Sequence, residues 1–381
     1  MTSSEPPQPS TRFLFVDLLR GWAVLVMIET HVVNALLGAS LKDETPFKVL
    51  TFVNGLVAPS FLFCAGFGLA ISLRRRWAQF VGFEKTLWRY LFRLAFIMVV
   101  AYSLHLPFFS LQRLRGLTDE SQWIPFFQVD ILQVIVVTLL FLILLACAVR
   151  KENVFRAAAL LAALAVVFLS PIVNGMDFSS LPIWLRPYLS AQYRSQFPIF
   201  PWSAFLIMGT VVGFHFMDAS ARQAIWMKRF ACAAAAGIGV SLLAEVVPPN
   251  LYPNHDFWRA SPEFFFVRLG IIGLSLAGLW YYDQRKRPPA SSLITLFGQE
   301  SLLVYVLHLL VVYGYTYEWS FVRMFGPTLN YPECLGLFAA LTISMYIVAY
   351  VWHRLKGWNM RAAQAVEVAA LGSIVAAFIL K

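Results

Sequence analysis

The sequence predicts an all-α, polytopic integral membrane protein with about eleven transmembrane helices, its amino terminus in the cytoplasm and its carboxyl terminus outside. Three observations lead to this fold class: the composition, the length of the apolar runs and the distribution of basic residues. Apolar residues make up 59% of the 381 residues and charged residues only 13%. This balance excludes an ordinary soluble domain.

The apolar runs have the length that a bilayer requires, because a helix needs about 20 residues to cross the hydrocarbon core. Short polar segments separate these runs, as expected of connecting loops. In chain order the predicted spans cover 14–37, 50–73, 89–106, 127–149, 154–174, 199–217, 229–247, 263–282, 292–315, 334–352 and 364–380.

Basic residues concentrate in alternate connections. The connections after even-numbered spans hold eighteen of them, and the generally longer connections after odd-numbered spans hold eight. The positive-inside rule therefore gives the stated orientation of the termini. The same distribution accounts for the formal charge of +10 and argues against a nucleic-acid partner, which would require the basic residues on one soluble face.

The first eleven residues, with three prolines among serine and threonine, are typical of a flexible cytoplasmic tail. Residues 12–381 then form a single membrane domain. The first apolar run contains charged residues and lacks a small-residue cleavage site, so it predicts a retained span rather than a signal peptide. The four cysteines are scattered without metal-ligand spacing, so neither a metal site nor a disulfide framework is expected.

The first span carries ionisable residues on one face. Arg20 and His31 are eleven residues apart, and a turn of about 100° per residue leaves these two side chains about 20° apart. Asp17 lies about 40° from His31 by the same count. Such groups are costly in hydrocarbon and by default mark a functional site, although an Asp–Arg pair and a bonded histidine can also simply hold helices together.

Three other spans also carry polar groups at membrane depth. Ser60 lies in the second span among proline and glycine, where small residues favour helix packing more than ligand contact. Asp130 and Gln133, one turn apart at the start of the fourth span, either pair for structure or line a polar cavity. Ser301 and His308 are seven residues apart in the ninth span and so share a face.

Read in order, these motifs resemble those of a known family. The segment Phe15-Val16-Asp17-Leu18-Leu19-Arg20-Gly21 followed by His31 is similar to the D-x-x-R-G and R-x10-H signature of the transmembrane acyltransferases. Further motifs resemble the heparan-α-glucosaminide N-acetyltransferase-like domain of bacterial proteins: Ala58-Pro59-Ser60-Phe61-Leu62-Phe63 with Gly66, Asp130-Ile131-Leu132-Gln133, Phe197-Pro198-Ile199-Phe200-Pro201-Trp202, and Gly298, Ser301, Leu302, Tyr305 and His308.

The resemblance implies acyl transfer from cytoplasmic acyl-CoA, acetyl-CoA in the simplest case, to a sugar or glycan acceptor reached from the outer side of a bacterial inner membrane. Acyl-CoA would be a co-substrate, and no metal is implied. Taken with the polar residues above, the resemblance predicts catalytic roles for His31, Asp17 and His308. The residues predicted to bind the cofactor are Arg20, Ser60, Asp130, Gln133 and Ser301.

The chemistry of the residues fits this expectation. Attack of a hydroxyl or amine on a thioester needs a proton acceptor, and a neutral imidazole suits that task near neutral pH. His31 is therefore predicted to be a general base or an acyl-accepting residue. Arg20 lies about 16 Å from His31 along the helix axis, a distance suited to an extended pantetheine arm.

A second class of function is also consistent with the sequence. In a proton-coupled secondary transporter, Asp17, Glu29, His31 and His308 would form a proton relay. The sequence leaves open the acyl group, the acceptor, covalent or direct transfer, and whether the chain forms a homo-oligomer.

Overall fold

Helices supply all the regular secondary structure among the residues that the computed structural model describes, which are 12–246, 257–258, 260–286, 289, 292–314 and 319–381. The all-α class is thereby confirmed, while the predicted tail over residues 1–11 lies outside the described residues. The helices are α1 Leu14–Leu36, α2 Thr45–Asn54, α3 Val57–Val81, α4 Lys85–Ser103, α5 Leu111–Arg115, α6 Ile131–Val149, α7 Glu152–Asn174, α8 Arg186–Leu189, α9 Ile199–Asp218, α10 Gln223–Val246, α11 Pro262–Lys286, α12 Leu293–Gln299, α13 Ser301–Tyr313, α14 Phe321–Phe325, α15 Tyr331–Trp358 and α16 Met360–Leu380.

Eight of the described helical segments are long and apolar enough to cross a membrane, and a ninth joins them if α12 and α13 count as one span. The chain is therefore a polytopic membrane protein, as predicted. The other two predicted spans correspond to α1 and α4, each of which carries three charged residues. The count of eleven and the orientation of the termini stay predictions.

Glycines allow the central helices to approach closely. A Cβ atom on Gly66 of α3 would lie 1.8 Å from the carbonyl oxygen of Leu206 on α9. Between α1 and α12, a Cβ atom on Gly298 would lie 2.0 Å from the carbonyl oxygen of Asp17. Both glycines therefore act as packing residues, in the way that small residues typically join membrane helices.

The ninth predicted span, 292–315, is not one continuous helix. It breaks between α12 and α13, which are bent by 94°. The sequence predicts a span here but not this bend, at which the buried Glu300 binds two side chains of α15. Lys356 Nζ lies 2.6 Å from both Glu300 carboxylate oxygens, and His353 Nδ1 lies 3.0 Å from one of them.

The periphery of the bundle is apolar. Leu243 and Val246 on α10 and Ile379 and Leu380 on α16 are exposed. Aliphatic side chains on such a surface fit the acyl chains of a bilayer.

A network of acidic and basic side chains joins the ends of α3, α7 and α9 at the predicted cytoplasmic side, where Arg74 pairs with Glu152 and Asp218.

Candidate active site

Two imidazoles meet between α1 and α13. The ring centroids of His31 and His308 lie 5.1 Å apart, with an angle of 48° between the ring planes. Tyr313, at the end of α13, places its hydroxyl 3.1 Å from His31 Nδ1. His308 is fully buried, whereas His31 is half-buried. We refer to His31, His308 and Tyr313 as the imidazole cluster.

The hydrogen bonds of His308 fix its neutral tautomer. Nδ1 lies 2.7 Å from the backbone oxygen of Val304. Because a carbonyl oxygen only accepts, Nδ1 carries the hydrogen and donates it, which leaves Nε2 unprotonated in the neutral ring. Nε2 is buried and has no hydrogen-bond partner among the described residues. Within the described part of the chain it is therefore an unpartnered base buried beside His31.

A second polar group adjoins the imidazole cluster. Tyr305 on α13 has its ring centroid 5.9 Å from that of His308, and its hydroxyl donates to Asp130 Oδ2 at 3.2 Å. His105 Nε2 lies 3.8 Å from the same oxygen. Neither His105 nor Tyr313 was predicted to be a site residue. His105 lies at the end of the third predicted span, 89–106, and nothing in the sequence pairs it with Asp130.

Asp130 and Gln133 cap the start of α6. Asp130 Oδ1 accepts a hydrogen bond from the backbone nitrogen of Ile131 at 2.7 Å, and Gln133 Oε1 accepts one from the backbone nitrogen of Asp130 at 3.1 Å. This reciprocal arrangement is a capping box, which satisfies backbone donors at a helix start. The structure gives both residues a structural task, and their predicted contact with acyl-CoA stays a prediction.

Asp17 and Arg20 form a separate cluster near the start of α1. Asp17 is buried and pairs with Arg12, while Arg20 Nη1 lies 3.8 Å from Asp17 Oδ1. The same Arg20 nitrogen donates to the backbone oxygen of Gly298 at 3.2 Å, at the carboxyl end of α12. Asp17 lies about 21 Å from His31 along the helix axis at 1.5 Å per residue. Asp17 therefore shares a face of α1 with His31 by helical count, but it does not belong to the imidazole cluster.

The remaining predicted residues lie apart from the imidazoles. Ser60 is buried in α3, and Ser301 is the first residue of α13, about 10 Å along the axis from His308. Glu29 points toward Asn54 at the end of α2, and its Oε1 has no partner among the described residues. The four-residue relay proposed for a transporter is therefore not assembled, since only His31 and His308 meet.

Two cavities flank the bundle. The arginine cavity, of about 260 Å³, lies between α3 and α4 at the predicted cytoplasmic end and is lined by Arg75, Arg76, Arg89 and Arg93. The outer cavity, of about 430 Å³, lies where α7 ends and α9 begins, at the predicted outer end. The sequence predicts that Arg75, Arg76, Arg89 and Arg93 belong to the cytoplasmic connection after the second span, but it predicts neither cavity.

Comparison with known proteins adds one positive finding. Residues 12–244 match the family model described as heparan-alpha-glucosaminide N-acetyltransferase, catalytic. The matched segment includes Asp17, Arg20, His31 and the arginine cavity, and it ends before α13 with His308. A comparison with curated proteins gives no match.

Proposed function

This chain belongs to the heparan-alpha-glucosaminide N-acetyltransferase catalytic family, and from that premise we propose that it moves an acyl group, acetyl in the simplest case, from cytoplasmic acyl-CoA to a sugar or glycan on the outer side. The observation that carries the proposal is the contact between His31 and His308. Two neutral imidazoles inside a membrane bundle supply the base that acyl transfer needs.

The tautomer of His31 decides which of its nitrogens can react. If Nδ1 donates to the hydroxyl oxygen of Tyr313, Nε2 is unprotonated and can act as base or nucleophile. If the Tyr313 hydroxyl donates instead, neutral His31 carries its hydrogen on Nε2 and cannot. We assign the first arrangement to the active enzyme, with Tyr313 as a positioning residue.

Transfer then follows one of two routes with the same balance. In the direct route, the acceptor nitrogen or oxygen attacks the thioester carbonyl and its proton passes to His31. The carbon–sulfur bond breaks, and the thiolate takes up a proton to leave as the CoA thiol. In the covalent route, the imidazole nitrogen of His31 attacks the thioester carbonyl, the carbon–sulfur bond breaks, and the thiolate takes up a proton to leave as the CoA thiol. The acceptor then attacks the acyl-imidazole, the carbon–nitrogen bond breaks, and the acceptor's proton passes to the released imidazole.

The donor enters from the cytoplasmic end in this proposal. Arg20 retains 23% side-chain exposure, and its distance of about 16 Å from His31 along the helix axis suits an extended pantetheine arm. Phosphates of CoA would then lie on the cytoplasmic side of Arg20, where the arginine cavity offers four guanidinium groups. Guanidinium groups bind phosphate oxygens in a bidentate manner.

One observation bears on the transporter alternative. Transporters build substrate sites from broken helices, and α12 and α13 form such a broken pair. Glu300 lies at this break with Lys356 and His353, and Arg20 binds the end of α12. Membership of the acetyltransferase family favours acyl transfer over transport.

The test uses purified protein, radiolabelled acetyl-CoA and a panel of amino sugars and glycans. We expect acceptor-dependent transfer of label, and we expect His31→Ala to reduce kcat by about 10²-fold or more, the usual effect of losing a general base. His215→Ala is the matched control, because His215 Nδ1 donates to Val211 on its own helix and lies outside the imidazole cluster. Full transfer by a folded His31→Ala variant would refute the role of His31.

A further inference from the structure

The outer cavity has the chemistry of a saccharide site. Its aromatic lining comes from Phe200, Trp202 and Trp258, and its polar lining includes the side chains of Asn174, Gln192 and Gln196. Every described residue that lines this cavity is neutral. Aromatic rings provide flat apolar faces, while amides both donate and accept hydrogen bonds. This combination suits a sugar ring, which presents C–H groups on its faces and hydroxyls at its edge.

The amide groups are oriented by bonds that leave acceptors available. Asn174 Nδ2 donates to Ser170 at 2.9 Å, and Gln192 Nε2 donates to the backbone oxygen of Asn174 at 3.3 Å. In both side chains, the amide nitrogen thus donates a hydrogen bond to the protein. The side-chain oxygens accept no hydrogen bond among the described contacts, so they can accept one from a hydroxyl or amino group of a ligand.

Trp202 is held in place from two sides. The ring of Phe197 meets it edge-on at a centroid distance of 4.7 Å, and the guanidinium of Arg268 lies 5.4 Å from its centroid. Arg268 also lies 3.9 Å from the ring centroid of Phe264, so its position is itself fixed by stacking. A pre-organised ring loses little freedom when a ligand stacks on it.

A continuous set of contacts joins this cavity to the imidazole cluster. The backbone nitrogen of Gln196 donates to the backbone oxygen of Val129 at 3.1 Å. The next residue, Asp130, accepts from Tyr305, and Tyr305 packs against His308. The cavity is therefore linked to the imidazole cluster through Asp130 and Tyr305 without containing it, as expected of a subsite that positions part of a longer acceptor.

We propose that the outer cavity binds a neutral saccharide unit of the acceptor, stacked on Trp202 and Trp258 and hydrogen-bonded by Asn174, Gln192 and Gln196. This inference rests on the proposed function and deepens it, because it names where the glycan is held. It predicts that losing a cavity residue raises the acceptor KM and leaves the donor KM unchanged. The effect is larger for a disaccharide than for a monosaccharide, since only the longer acceptor fills both sites.

The experiment compares Trp258→Ala and Gln192→Ala with two matched controls. Trp184→Ala removes another exposed tryptophan, with 52% exposure, from a different predicted outer loop, the one between the spans at 154–174 and 199–217. Gln112→Ala removes an exposed glutamine from α5. The probes are glucosamine and a disaccharide in which glucosamine is β1,4-linked to a neutral glucose unit. Binding is measured by calorimetry without donor, and transfer is measured with radiolabelled acetyl-CoA.

We expect each cavity variant to raise the disaccharide dissociation constant and KM by about ten-fold, a typical effect of one pocket contact. The two controls should resemble the unaltered protein. Unchanged disaccharide binding in both cavity variants, or no binding of either probe by the unaltered protein, would overturn the inference. If the disaccharide binds in the cavity but no acetyl transfer occurs with either probe, the proposed function fails while the saccharide site stands.

Discussion

Substitution of Gly298 by alanine tests how the donor end of the site is built. A Cβ atom at this position would lie 2.0 Å from the Asp17 carbonyl oxygen and 2.8 Å from its carbonyl carbon. Ordinary contacts of this kind exceed about 3 Å, so α1 and α12 must separate by about 1 Å or more to admit a methyl group. The obstacle is backbone, which cannot rotate away as a side chain can.

The expected cost of this overpacking is about 1–3 kcal/mol of folding free energy. Separation of the two helices also lengthens the hydrogen bond from Arg20 to the Gly298 carbonyl, now 3.2 Å. We therefore expect a lower Tm in detergent and, because Arg20 shifts, a higher KM for acetyl-CoA. The acceptor KM should change less, since the outer cavity lies at the other end of the bundle.

Gly278→Ala provides the matched control, because nothing lies within 4 Å of the corresponding Cβ position on α11. It replaces a membrane-helix glycine by alanine without a clash, so its Tm should stay level or rise. Thermal unfolding and initial-rate kinetics are measured on both variants. A Gly298→Ala protein with the Tm and donor KM of the unaltered chain would refute the argument that α1 and α12 are locked together here.

Four further substitutions test the chemistry of the site. Tyr313→Phe should lower kcat, by less than the 10²-fold expected for His31→Ala, and leave both KM values and the Tm unchanged; an unaltered kcat would remove Tyr313 as a positioning residue. His308→Ala should raise the acceptor KM or lower kcat less than His31→Ala does, and a greater loss than that of His31→Ala would transfer the catalytic role to His308. Arg20→Lys should raise the acetyl-CoA KM by about ten-fold, or about 1.4 kcal/mol, because a point charge cannot replace the planar guanidinium. If Arg89→Ala raises that KM and Arg20→Lys does not, the arginine cavity rather than Arg20 holds the donor.

Helix positions follow closely from the apolar runs, while helix ends do not. The predicted spans 154–174 and 199–217 correspond to α7, Glu152–Asn174, and α9, Ile199–Asp218. The span predicted at 334–352 is the much longer α15, Tyr331–Trp358. Hydropathy marks only the part of a helix that crosses hydrocarbon. Beyond it, caps such as Asn330, which accepts from the Glu333 backbone nitrogen, decide where a helix begins.

The candidate site shows what helical periodicity can and cannot provide. Turning by 100° per residue places Asp17, Arg20 and His31 on one face, and seven-residue spacing turns Ser301 and His308 the same way. Periodicity predicts which way a side chain points but not which residue it contacts, so it does not predict the pairing of Asp17 with Arg12. The contact of His31 with Tyr313 joins residues 282 positions apart, and it depends on how α13 packs.

The bend between α12 and α13 explains how one face of α1 contacts both the proposed donor end and the imidazole cluster. On one side of the bend, α12 packs against α1 at Gly298 and takes the hydrogen bond from Arg20. On the other side, α13 carries His308 to His31. Glu300 stabilises the corner through Lys356 and His353, which lie more than fifty residues later in the chain. Removing the carboxylate would leave the Lys356 ammonium without this partner at the break, and Glu300 thus supports both the helix that bonds Arg20 and the helix that carries His308.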